Sequence, residues 1–212
     1  MPGKKYDGRW ISFANDVDVI DEDNIVFTDS SWLYDESTVS LSLIAALATG
    51  RVYKYNIKTD TLTLLMDEMY YANGVQILPD KQSFVVSETI TARIYRYYFD
   101  GPKKGLTEIF MDNLPGHPDN VRLSSDKKTI WIAFAIPRIA GKYQVFDQLL
   151  KYPMIRKIMH NYMSHSILTL IFQYFNDPRN SNVYGLAVEA DLKGNIQRSF
   201  HSPNGTINNL SQ

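Results

Sequence analysis

The sequence predicts an all-β chain folded as a β-propeller, interrupted by a partly helical insertion. Two observations carry this prediction. A hairpin-like unit occurs three times, and a second hairpin type follows each copy in order. Composition agrees: aromatic residues make up 13% of the chain, with 14 Tyr, and such rings pack well on a pleated surface.

Each copy of the first unit opens on a polar pair, turns on an acidic residue and returns as a β-rich strand. Asn15-Asp16-Val17-Asp18-Val19 leads to Asp21-Glu22-Asp23 and then Ile25-Val26-Phe27-Thr28-Asp29. Asn73-Gly74-Val75-Gln76-Ile77 leads to Pro79-Asp80-Lys81 and Phe84-Val85-Val86-Ser87. Asp119-Asn120-Val121-Arg122-Leu123 leads to Ser125-Asp126-Lys127 and Ile130-Trp131-Ile132-Ala133. The second type alternates charged and apolar residues, as a strand with one wet face does. Its copies start at Gly50, Arg93 and Tyr184 and turn at Lys58-Thr59-Asp60, Asp100-Gly101-Pro102 and Lys193-Gly194-Asn195.

Two hairpins make a four-stranded antiparallel blade, and a recurrence of roughly 40–60 residues points to a propeller. A sandwich of hairpins is the competing architecture, but it has no reason to alternate two hairpin types in order. Propellers close with about 4–8 blades, so three are expected to be part of a larger ring. Two stretches depart from the repeat. Ser31 to Thr49 contains the apolar run Leu41–Leu47, read as one strand or a short helix. The insertion at about 137–180 places Phe146, Leu149 and Leu150, then Ile155, Ile158, Met159 and Tyr162, at helical spacing. Lys151, Arg156, Lys157 and His160 lie among them, so 141–176 reads either as a lid packed on its own protein or as a membrane-surface segment.

Composition narrows the chemistry. A net charge of −1 gives no field for nucleic acid, and no basic aromatic platform is present. The absence of Cys removes disulfides, thiolate metal sites and a Cys nucleophile. The four His residues (His117, His160, His165, His201) show no paired zinc spacing, and there is no Gly-rich phosphate loop. No apolar stretch approaches the ~20 residues of a membrane span, and Met1–Tyr6 has no apolar signal-peptide core. Asn204 and Asn209 head glycosylation sequons.

The polar pairs have two readings. In a propeller the innermost strands line the channel, so Asn15, Asn73 and the pair Asp119-Asn120 converge although far apart in sequence. Converging amide and carboxylate oxygens suit a hard cation such as Ca²⁺, which takes 6–8 oxygen ligands, although one carboxylate is a thin charge count. Alternatively these side chains cap their own hairpins. His117 sits beside the channel as a candidate base, in a Pro-Gly-His-Pro turn that is equally well structural. Glu88, read as ending an inner strand, is expected to support Arg93 or to pair elsewhere.

The stretches Ala72-Asn73-Gly74-Val75, Ser87-Glu88-Thr89-Ile90-Thr91-Ala92-Arg93-Ile94 and Leu114-Pro115-Gly116-His117-Pro118-Asp119-Asn120-Val121-Arg122 resemble the strictosidine synthase-like family, its animal branch most of all. Ser12–Val19 with Phe27–Ser31 extends the resemblance over nearly the whole chain. It implies a six-bladed propeller of which this chain is the later half, short of both ends. It also implies a place beside the paraoxonases and gluconolactonases, which hydrolyse esters and lactones with a channel Ca²⁺. By that similarity Asn15, Asn73, Asp119 and Asn120 match metal-site positions. Strictosidine synthesis itself is not expected: the acid–base Glu of those enzymes falls near Gln212, and an amide cannot shuttle the proton. The expected function is therefore an arylesterase- or lactonase-like hydrolase. The rival is a non-catalytic, membrane-associated propeller with a structural channel metal. The animal branch implies the endomembrane system or the cell surface.

Overall fold

The computed structural model describes residues 5–142, 144–176 and 184–207. A small hairpin, β1 (Lys5–Tyr6) and β2 (Arg9–Trp10), precedes three four-stranded antiparallel sheets. The first sheet is β3 (Ala14–Val19), β4 (Asn24–Asp29), β5 (Gly50–Asn56) and β6 (Thr61–Met69). The second is β7 (Ala72–Ile77), β8 (Ser83–Glu88), β9 (Arg93–Tyr98) and β10 (Thr107–Met111). The third is β11 (Gly116–Leu123), β12 (Thr129–Pro137), β13 (Gly185–Asp191) and β14 (Ile196–Ser202). Strands pair in chain order within every sheet, so each is a meander blade and the chain is a partial propeller.

The acidic turn residue of the first-type hairpins has a local cause. Asp21 Oδ1 accepts from the Asp23 and Asn24 amides, Asp80 Oδ1 from Gln82 and Ser83, and Asp126 Oδ1 from Lys128. Each carboxylate thus satisfies amides that the tight turn leaves unpaired. Lys81 and Lys127 take the left-handed conformation in the second and third of these turns.

Blades pack face to face through the apolar residues of alternating strands. Val26, Val52, Val75, Phe84 and Val86 fill the space between the first two blades. Val85, Ile94, Val121, Ile130, Ile132, Phe134 and Val188 fill the next. The innermost strands β3, β7 and β11 lie side by side. At Gly74 the approach leaves no room for a side chain: a Cβ there would stand 2.5 Å from Asn120 Cα and 2.6 Å from Val121 N. Glycine at this position is a packing requirement.

The apolar run after Ser31 is a short helix, α1 (Val39–Ala45), preceded by a 3₁₀ turn that Asp35 caps. Between β12 and β13 lie α2 (Val145–Leu150), α3 (Pro153–Tyr162) and α4 (His165–Asn176). Phe146 and Leu150 of α2 pack inward against Leu43, Tyr71 and Ile90, above one end of the inner strands. The α3 helix differs: its inward side carries Arg156 and His160, while Ile155, Ile158 and Tyr162 face solvent. This helix is fastened to its own protein by those two polar side chains rather than by Ile155, Ile158 and Tyr162. Among the described residues no helix is long and apolar enough to cross a membrane.

Candidate functional site

The polar pairs turn out to be β-bulges. Between Ala14↔Asp29 and Val17↔Phe27 the inner strand advances one residue more than its partner. The same extra residue lies between Ala72↔Glu88 and Val75↔Val86, and between Pro118↔Phe134 and Val121↔Ile132. Asn15-Asp16, Asn73-Gly74 and Asp119-Asn120 therefore occupy equivalent irregularities at the same end of three adjacent strands. A bulge breaks the alternation of side-chain directions and re-aims the residues within it.

Hydrogen bonds fix where two of these amides point. Asn15 Nδ2 donates to Ser30 Oγ at 2.9 Å, and Ser30 Oγ donates to the Ala72 carbonyl at 2.6 Å. One blade on, Asn73 Nδ2 donates to Thr89 Oγ1 at 3.1 Å, which donates to the Pro118 carbonyl at 2.8 Å. A hydroxyl has one proton, and here the next blade's carbonyl takes it. The hydroxyl must then accept from the asparagine, so the amide nitrogen faces the hydroxyl and the oxygen turns away. Asn73 Oδ1 is in consequence buried with no hydrogen-bond partner in the protein. A buried acceptor left open costs about 1–3 kcal/mol, so such a group calls for an explanation.

Asp119 lies beside it. Burial pushes its carboxyl up to about 6, the negative charge of Asp16 adds to the rise, and an Asn73 hydrogen bond and the Arg122 cation oppose it. The buried Tyr71 phenol, raised by burial and then by the Asp119 charge, is a further neighbour. Asp16 itself is committed elsewhere. It accepts two bonds from Arg122, at 2.7 and 2.8 Å, and one from the Val75 amide at 2.8 Å, joining all three blades at one point.

The structure thus brings Asn73, Asp119 and Asn120 together, through the Asn73–Asp119 contact and the close passage of Gly74 by Asn120. Asn15 stands one relay step away, through Ser30, on the exposed side of the first blade. Among the described residues no cluster of three or more His, Asp or Glu could hold a metal by itself. The donor set does fit a hard cation in kind, since it offers an open amide oxygen on the residue that contacts the half-buried Asp119 carboxylate. In number these side chains supply part of a 6–8-oxygen shell.

His117 is buried with both ring nitrogens engaged. Nδ1 lies 2.9 Å from the Thr89 carbonyl and Nε2 lies 3.0 Å from Asp147 Oδ1. Arg138 grips the same carboxylate with Nε and Nη2, both at 2.8 Å. Together, His117 first, they hold Asp147 well below the usual carboxylate range. This knot ties α2 to the channel end of the second and third blades. Glu88 closes the second strand of its blade, not the innermost, and is tied up by the Tyr70 amide and the Thr91 hydroxyl. Arg93 pairs with Asp112 instead.

Sequence reasoning missed Ser30, Thr89, Asp16 and Arg122. One signal was available: Asp29-Ser30 and Glu88-Thr89 are the same acid–hydroxyl dipeptide at equivalent repeat positions. Their acids also act alike, Asp29 accepting from the Phe13 amide and Glu88 from that of Tyr70. Gln212 and the Asn209 sequon lie outside the described residues.

Meander blades with matched bulges at one end of their inner strands define a partial β-propeller with a polar channel mouth. Comparison agrees with that architecture: residues 15–102 match the strictosidine synthase family model. It is 37% identical over 206 residues to the adipocyte plasma membrane-associated protein of Salmo salar, covering 97% of this chain and 47% of that one. For the Homo sapiens protein of the same name the figures are 32% over 202 residues, 95% and 46%. Strictosidine synthase-like 13 of Arabidopsis thaliana is 34% identical over 152 residues, covering 72% of this chain and 36% of its own. The chain spans about half the length of the first two relatives. Among solved structures, a Xanthomonas campestris gluconolactonase overlays 62% of this chain and 44% of its own, at 22% identity and a TM-score of 0.47. A calcium-binding regucalcin from Agrobacterium tumefaciens overlays 57% and 38%, at 19% and 0.43.

Proposed function

We propose that the complete protein is an ester or lactone hydrolase of the arylesterase type, with a Ca²⁺ site at the channel mouth. Asn15, Asn73, Asp119 and Asn120 would hold the ion. Once bound, it would polarise a substrate carbonyl and stabilise the charge that develops on its oxygen. The chain's own contribution is positional. Ser30 and Thr89 hold the Asn15 and Asn73 amides so that their oxygens face away from the blade seams. Asp119 supplies the one carboxylate, and the α1–α2 roof excludes water from Tyr71 and Ile90 beneath it. The observation that carries the reading is the buried, unpartnered Asn73 oxygen beside the Asp119 carboxyl.

A second reading has its own support: both nitrogens of His117, the candidate base, are occupied. Under it the protein is a non-catalytic propeller of the endomembrane system or cell surface, its channel metal is structural, and segment 141–176 meets a membrane surface. Arylesterase assays of the full-length protein with and without chelator separate the two. Hydrolysis that chelation abolishes supports the enzyme. Absent hydrolysis with a chelator-sensitive melting temperature supports the structural metal. No hydrolysis and unchanged stability would remove the metal from both.

A further inference from the structure

We infer that α3 docks on an anionic bilayer surface through its outward apolar stripe, with the helix lying in the interface plane. This deepens the membrane-associated reading above and rests on it for the presence of a bilayer. The starting point is an inverted helix. An amphipathic surface helix ordinarily turns its apolar stripe toward its own core. In α3 the cationic side does the fastening. Arg156 Nη1 donates to the Ile44 and Ala45 carbonyls at 3.2 and 2.6 Å, capping the C-terminal end of α1, and His160 Nε2 meets the Tyr34 hydroxyl at 2.7 Å. Held that way, the helix presents Met154 (69% exposed), Ile155 (48%), Ile158 (55%) and Tyr162 (84%) as one stripe at helical spacing. Single exposed apolar residues are ordinary, but a contiguous stripe marks an interaction site.

Charge selects the occupant. From Gln148 through Asn176 there is no Asp or Glu, and with Arg156 turned onto α1 the outward cations are Lys151 and Lys157, in a chain whose net charge is −1. Exposed Tyr152 and Tyr162 bracket the helix, where amphipathic rings suit the headgroup level. A second copy of this chain would bring the same cations against these, which disfavours a symmetric dimer through this face. Anionic headgroups complement them, and the apolar side chains between can enter the acyl boundary. In α4, Ile167 and Leu170 are exposed as well.

The test is sedimentation of the full chain with vesicles of phosphatidylcholine alone or mixed in equal parts with phosphatidylserine. Binding to the mixed vesicles is expected to exceed binding to the neutral ones. Lys151→Glu with Lys157→Glu should weaken it about fivefold for each charge removed, and more for the reversal, as about 1 kcal/mol per charge implies. Ile158→Asp should weaken it at least about tenfold. All these positions are exposed, so circular dichroism and the melting temperature should not move. A Tyr162→Trp reporter should shift to the blue only with anionic vesicles. If the wild type binds no vesicle, the membrane reading fails and this inference with it. If the wild type binds but these variants bind equally well, the inference alone is overturned. Loss of self-association in the variants, with vesicle binding intact, would also overturn it in favour of a dimer face.

Discussion

Replacing Asp119 by Asn should make the metal-free protein more stable near neutral pH while abolishing its calcium response. The carboxyl binds its proton more tightly in the fold than in the open chain, at about 6 against an ordinary 3.8, chiefly because it is buried. Between those values the folded state holds more protons than the unfolded state, so this residue makes stability fall as pH rises through the window. At about 1.4 kcal/mol per tenfold in proton affinity, its full ionisation costs up to about 3 kcal/mol, fully felt above about pH 7. The amide variant never ionises, and its oxygen can still accept the Asn73 hydrogen bond. Urea unfolding in chelator should therefore show a gain of about 1–3 kcal/mol above about pH 7 that disappears below about pH 4. Taking the difference between variant and wild type cancels the other carboxylates. Parallel curves across the whole range would refute the claim that Asp119 is held at a desolvated, anion-unfriendly position.

Other perturbations test the frame around that residue. Gly74→Ala drives a methyl to within 2.8 Å of three backbone atoms of β11, and should lower urea stability by about 1–3 kcal/mol; an unchanged midpoint would mean the strands can part freely. Asp16→Ala strands the Val75 amide and frees Arg122, so a loss of about 2–4 kcal/mol in urea unfolding is expected, with less than 1 kcal/mol arguing that the three-blade junction is cosmetic. Asp147→Asn weakens the hold of His117 and Arg138 on α2, and limited proteolysis within 139–152 should accelerate at neutral pH. Because the folded carboxyl sits well below its ordinary range, the wild-type contribution is present above the unfolded value and lost only in strong acid; equal cleavage rates at neutral pH would contradict the knot.

The blades were legible because their two hairpin types differ in a period that sequence displays directly: apolar Phe84-Val85-Val86 on one side of a turn, alternating Arg93–Tyr97 in the other type. The Asp at each first-type turn was legible for the same reason, since its bonds are local. The bulges were not. An extra residue in one strand leaves no mark until its partner's register is known, so Asn73-Gly74 reads as the opening of a regular strand when it is an irregularity inside β7. Asp16–Arg122 and His117–Asp147 join residues far apart in the chain, and no period announces such pairs. Helical spacing identified α3 but not its orientation, because Arg156 meeting the carbonyls of α1 is a tertiary event that turned the apolar side out. Asp7-Gly8, a two-residue loop with both φ values positive, is a readable hairpin signal that lies outside the repeat.

The central claim is that the open Asn73 oxygen at the bulged end of β7 belongs to a calcium site. Calorimetric titration of the full-length, chelator-treated protein with Ca²⁺, beside its Asn73→Ala variant, tests it most directly. The account predicts saturable binding to the wild type that weakens as pH falls below about 6, where a proton competes for Asp119, and at least about tenfold weaker binding to the variant. Equal affinities in the two proteins, or no binding in either, would contradict it.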